Sequence, residues 1–117
     1  MSNNNLSEIS TQRRILLTGA TGFLGMHILK ALLNEKRYSI YCLIRGQNIS
    51  ECNDKIRRSI DYYYPGEADE FYKRIIVKQG DVEDEFLGVS HDDYMELIDS
   101  ITDVIHTAAL VKHFGDK

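Results

Sequence analysis

The 117-residue chain has only two cysteines, Cys42 and Cys52, and neither has a neighbour at the spacing of a metal knuckle. Two thiols alone cannot build a disulfide framework either. Positive charge is in deficit, with 14 Lys and Arg against 18 Asp and Glu and a formal net charge of −4. A general nucleic-acid binder shows the opposite balance, so no nucleic-acid partner is expected. No apolar run approaches the roughly 20 residues that span a bilayer, which removes a membrane partner. The opening Met-Ser-Asn-Asn-Asn lacks the basic and apolar regions of a secretory signal. What remains is a cytoplasmic globular protein of one domain, long enough for a hydrophobic core. Residues 1–12 are polar and read as a disordered leader, leaving 13–117 as the domain.

Within that domain the apolar pattern changes period repeatedly. Short runs at 13–18, 38–44, 74–78 and 103–109 read as buried strands. Leu24, Ile28, Ala31 and Leu32 recur at helical spacing over 22–36. A second stripe joins Ile49, Ile56, Ile60 and Tyr63, and the lone proline, in Pro65-Gly66, ends it. A short helical turn is expected over 67–73. Ser90, with Asp93 three residues on, reads as the N-cap of a last helix whose stripe is Tyr94, Leu97, Ile98 and Ile101. The order β-α-β-α-β-α-β implies an α/β fold with parallel strands, right-handed crossovers and a doubly wound sheet. Nine of the acids crowd into 81–103, where no Lys or Arg occurs. They read as a solvated loop and helix face, with docking of a basic partner as the alternative.

The strongest signal is Thr18-Gly19-Ala20-Thr21-Gly22-Phe23-Leu24-Gly25, placed between the first strand and the first helix. Its glycines follow the pattern G-x-x-G-x-x-G. The first allows a sharp turn, the second allows close approach of a pyrophosphate, and the third lets the helix pack tightly. The helix N-terminus then offers unpaired N–H groups to an anion. Twenty positions after Gly25 stands Arg45, and no Asp or Glu occurs over 36–50. An acid there would favour NAD, whereas an arginine accommodates a 2′-phosphate. A solvated strand-end arginine is the bland alternative. Lys55 is a candidate second charge for the same phosphate. Asp81-Val82, after the third strand, would receive the adenine amino group or simply shape a turn. Small Ala108, Ala109 and the following Leu110 would let a cofactor pass the fourth strand. His27 and His106 read as packing residues, and Cys42 as a small core residue. Cys52 is a helix residue without activating neighbours. Lys112 and His113 are candidates for a substrate channel.

Thr-Gly-Ala-Thr-Gly-Phe-Leu-Gly, Leu-Ile-Arg-Gly, Gly-Asp-Val and His-Thr-Ala-Ala-Leu-Val-Lys-His-Phe-Gly together resemble the extended short-chain dehydrogenase/reductases. Within these the chain most resembles the terminal thioester reductase domains of nonribosomal peptide synthetases and carboxylic acid reductases. Fatty acyl-CoA reductases of the male-sterility type are near relatives. The resemblance implies a Rossmann-like sheet, truncated after about four strands, that binds NADP(H). It further implies reduction of an acyl or peptidyl thioester, carried on the phosphopantetheine arm of a carrier domain, to aldehyde or alcohol. By position the cofactor residues are Gly19, Thr21, Gly22, Phe23, Leu24, Gly25, Arg45, Asp81, Val82, Ala108, Ala109 and Leu110, with Lys55 beside them. The family's catalytic Tyr-x-x-x-Lys is absent from these 117 residues, so no catalytic residue is assigned. Rival readings are a fatty acyl-CoA reductase, a nucleotide-sugar epimerase or dehydratase, and a non-catalytic NADP(H)-binding module. About half of a full sheet is expected, with an open edge and marginal stability in isolation.

Overall fold

In the computed structural model, which describes residues 12–107, each apolar run becomes a strand and each helical stripe a helix. The first unit is β1 (Arg13–Thr18), α1 (Phe23–Leu33) and β2 (Tyr38–Ile44). After it come α2 (Ile49–Tyr63), the short α3 (Ala68–Arg74) and β3 (Ile75–Gln79). A 3₁₀ turn (Glu85–Gly88), α4 (His91–Ser100) and β4 (Asp103–His106) complete the described chain. All pairings are parallel and the strand order is β3-β2-β1-β4, so two crossovers run outward from β1 and the third jumps back across it. That reversal is the switch point of a Rossmann-like doubly wound sheet, where the strand ends leave a crevice.

Helices cover both faces. On one, Leu17, Ile40, Cys42 and Ile44 of the sheet pack against Met26 and Leu29 of α1, Cys52, Ile56 and Ile60 of α2, and Phe71 of α3. On the other, Leu16, Tyr41 and Leu43 meet Leu97 of α4. Alternate residues of β1 and β2 thus serve opposite cores, which is why these strands read as unbroken apolar runs. Both thiols are buried, and burial pushes that of Cys42 up to about 12.

Four details depart from the sequence reading. The first helix stops at Leu33 rather than running to 36, because Arg74 reaches across 41 residues to its end. There the guanidinium donates to the Leu33 carbonyl at 2.9 Å and the Glu35 carbonyl at 3.2 Å. Arg74 itself closes α3, so β3 begins at Ile75 and extends to Gln79. In α2 the buried stripe is Cys52, Ile56 and Ile60, while Ile49 is exposed at the first turn. On α4 only Leu97 is buried, and Ile98 is 55% exposed because the helix touches the sheet along a narrow line. The Ser90 cap forms as expected, its hydroxyl accepting from the Asp93 N–H at 3.2 Å. Residues 1–11 of the leader expected over 1–12, and the expected strand end at Ala108 and Ala109, lie outside the described residues.

One charge cluster ties α4 to the sheet. Lys78 of β3 donates to Asp93 at 3.0 Å and Glu96 at 2.9 Å, its side chain largely covered. Burial alone would lower the lysine pKa, but the hydrogen bonds to Glu96 and Asp93 outweigh it and the value rises above the ordinary 10.5. A folded-state pKa above the unfolded one adds stability that is intact below the unfolded value and is lost as pH rises through the folded one. The urea midpoint of the native chain should therefore exceed that of Lys78→Met at about pH 8, and the gap should close as pH rises through the raised pKa of the folded lysine. A gap that stays constant over that range would show that the ammonium charge plays no part.

Candidate glycine-turn cavity

The site begins where β1 gives out. Gly19 follows Thr18 with φ +78, a left-handed conformation that admits glycine at no steric cost. Gly22 is the N-cap of α1 and its N–H closes the turn onto the Gly19 carbonyl at 3.2 Å. A Cβ on Gly25 would lie 1.9 Å from that same carbonyl oxygen, so the third glycine lets the helix sit on the turn. A Cβ on Gly22 would meet nothing nearer than 3.7 Å, so its bareness leaves space outward. No side chain caps α1 and no acid lies in its first turn. Its leading N–H groups and partial positive charge are therefore left for an anion. From α2, the Ser59 hydroxyl donates to the Thr21 carbonyl and pins the loop.

Beside the turn opens a cavity of about 480 Å³, within the range of small-molecule sites. Six of the residues expected from sequence line it: Gly19, Thr21, Arg45, Lys55, Asp81 and Val82. They arrive from β1, from β2, from α2 and from the segment after β3. Arg45 is 74% exposed, and its Nη1 lies 3.8 Å from Asp81 Oδ2. An ion pair that open is weak, so the guanidinium is available to a stronger anion. The other Asp81 oxygen accepts from the Glu83 N–H at 3.0 Å, which makes Asp81 a turn residue as well as a cavity residue. Lys55 donates to the Arg45 carbonyl at 2.8 Å and stands 3.7 Å from Glu51. It thus anchors the backbone of Arg45 and brings a second cation to the cavity.

Gly22, Phe23, Leu24 and Gly25 do not line the cavity. Gly25 is buried under the turn, while Phe23 is exposed and sits 4.4 Å from the His27 ring. Ala108, Ala109, Leu110, Lys112 and His113 lie outside the described residues. Five further lining residues were not among those expected at the site: Ala20, Leu43, Ile44, Glu83 and His106, the last read from sequence as packing. The signal for His106 was its place at the C-terminal end of a strand, the edge where such sheets bind ligands. Among the described residues no cluster of His, Cys, Asp and Glu could hold a metal, and no helix is long and apolar enough to cross a membrane.

The family model described as male sterility protein, an NAD-binding domain, matches residues 17–116, from the end of β1 onward. The chain belongs to this family. A Drosophila melanogaster chain bearing the name of a fatty acyl-CoA reductase is 29% identical over 121 residues, covering 97% of this chain and 23% of that one. Among solved structures, the terminal R domain from the myxalamid PKS-NRPS pathway superposes with a TM-score of 0.72 at 35% identity, over 81% of this chain and 24% of that one. A thiolation-reductase di-domain from an archaeal non-ribosomal peptide synthetase gives 0.63 at 34% identity, over 80% and 24%. This member of the male sterility family therefore spans about a quarter of these relatives. Membership supports a nicotinamide cofactor for the chain. The residues fit such a group, since the turn that Gly25 keeps tight presents an uncapped helix end beside two cations.

Proposed function

We propose that the chain binds NADPH and supplies the cofactor site of a reductase acting on a carrier-bound acyl or peptidyl thioester. The observation that carries this reading is the meeting of Arg45 and Lys55 with Gly19 and Thr21 on one cavity. A diphosphate at the N-terminus of α1 would leave the adenosine directed along the strand ends toward β2. There the Arg45 fork can take two oxygens of a 2′-phosphate, and Lys55 adds a point charge. Asp81 would accept from the adenine amino group with the oxygen that faces Arg45. Bound NADPH supplies the hydride for reduction of the thioester carbonyl to an aldehyde, or onward to an alcohol. Similarity to terminal reductase domains, one of them joined to a thiolation domain, supports a phosphopantetheine-borne substrate. The likeness to a fatty acyl-CoA reductase supports the same chemistry on a coenzyme A thioester.

Isothermal titration of the full chain with NADPH and with NADH tests the reading. NADPH should bind at least tenfold more tightly, as expected of a charged hydrogen bond to the extra phosphate. A preference for NADH would overturn the phosphate assignment, and absence of binding by both would overturn the cofactor site.

A further inference from the structure

Sequence reading treated His106 as packing, but the fold brings it to the cavity on the side remote from Arg45. The sheet order puts the ends of β3, β2, β1 and β4 in one row along the crevice. Arg45 and Asp81 stand over β2 and β3, the glycine turn over β1, and His106 at the end of β4. β4 lies two strands from β2, roughly 10 Å away at the usual spacing. A dinucleotide with its adenosine toward Arg45 and its diphosphate at the glycine turn must therefore extend its second ribose toward His106.

The imidazole is not loose there. Its Nδ1 lies 2.5 Å from the Thr18 hydroxyl, in the residue that registers opposite it on β1. Thr18 is only 3% exposed, and the neighbouring Thr107 hydroxyl donates to the Thr18 carbonyl at 2.7 Å. Among the described residues the Thr18 hydroxyl has no other partner than Nδ1. A buried hydroxyl that only accepted would leave its own hydrogen unplaced, so the hydroxyl donates and Nδ1 accepts. That direction fixes the tautomer with its proton on Nε2, the nitrogen on the far side of the ring from Thr18. The arrangement is a ring nitrogen, aimed by a buried tether, on the wall of a cavity that also carries Arg45, Lys55, Asp81 and Glu83.

We propose that His106 is a cofactor-binding residue. Its Nε2–H donates to the phosphate or ribose oxygens on the nicotinamide side of the diphosphate, and Thr18 is the positioning residue that holds it. The proposal rests on the cofactor reading above. It differs from that reading in concerning the half of the ligand that NADPH and NADH share.

The test uses three probes on the full chain: NADPH, NADH, and adenosine 2′-phosphate, which keeps the Arg45 contact but has no diphosphate. His106→Ala should weaken NADPH and NADH alike by about tenfold, the worth of one hydrogen bond to a charged group, and leave adenosine 2′-phosphate unchanged. Thr18→Val keeps the shape and removes the tether, and should produce the same pattern. Thr18→Ser should restore binding. Equal loss for all three probes, or no loss with either variant, would overturn the proposal. Should His106→Ala fail to fold, Thr18→Val and its serine rescue decide alone. A native chain that binds adenosine 2′-phosphate but neither dinucleotide would sink the His106 role while leaving the Arg45 reading standing. Failure to bind any of the three would remove both.

Discussion

Arg45→Ala should weaken NADPH binding about 10- to 150-fold while NADH binding stays within about twofold. The asymmetry follows from where the side chain stands. Arg45 leaves the end of β2 into a cavity shared with the glycine turn, and among the described residues its charge partner there is Asp81 at 3.8 Å. A largely exposed pair of that length contributes little, so its loss should barely change folding. A phosphate dianion offers the fork two short, charged hydrogen bonds and would win the competition. Arg45→Lys should fall between, since it keeps the charge and loses the fork. Lys55→Ala should cost less than Arg45→Ala, because its ammonium already serves the Arg45 carbonyl at 2.8 Å. Parallel titrations of each variant with both dinucleotides provide the check. Equal losses for NADPH and NADH after Arg45→Ala would show that the guanidinium does not read the 2′-phosphate.

The largest effect on folding should come from one methyl group. Gly25→Ala places a Cβ 1.9 Å from the Gly19 carbonyl oxygen, 2.6 Å from its carbon and 2.9 Å from the Ala20 Cα. All three are backbone atoms of a turn fixed by β1, so no side chain can swing aside. α1 must move off the sheet, and Met26 and Leu29, fully buried beneath it, must move with it. Overpacking of this kind costs about 3 kcal/mol or more, a large share of the roughly 5–15 kcal/mol of a typical domain. Urea unfolding followed by circular dichroism should show the midpoint collapse. Gly22→Ala is the matched control, since its nearest contact would be 3.7 Å and its φ of −87 suits any residue. It should leave the midpoint in place and weaken both dinucleotides, because its methyl group occupies the space in front of the helix end. Similar midpoints for both variants would contradict the geometry of the turn.

How much of this was legible depended on whether a feature is local. The bounds of β2, the Ser90 cap and the glycine turn follow from residues adjacent in sequence, and each forms as read. The parallel order followed from alternation and handedness alone. What the sequence hid was set by distant partners. The end of α1 is decided by Arg74, and the buried stripe of α2 by Cys52, whose thiol lies under Ile44 and donates to its carbonyl at 3.2 Å. On the outer flank, Ile98 and Val104 look like core residues by composition, yet both remain more than half exposed. The loop after β3 conceals its shape more thoroughly. Phe86 and Leu87 both adopt positive φ, a conformation their side chains disfavour, stabilised by the bond from the Asp81 N–H to the Leu87 carbonyl at 2.7 Å. In the site, Gly19, Arg45 and Asp81 were readable because each is an unusual residue at a strand end. His106 also stands at a strand end, but the contact that aims its ring comes from Thr18, 88 residues away, which no local pattern displays.

The row of strand ends carries a consequence for the sheet itself. Asp81, Arg45, Gly19 and His106 each stand at the end of a different strand, so one molecule lying across them fastens all four together. Among the described residues β3 and β4, the two outer strands, are each paired along one side only. Between them in sequence lie the 3₁₀ turn and α4, which Lys78 ties back to β3 through Asp93 and Glu96. A dinucleotide at a hundred times its dissociation constant would add about 2.7 kcal/mol to folding by mass action. The ligand would then act as a tie laid crosswise over the four strands.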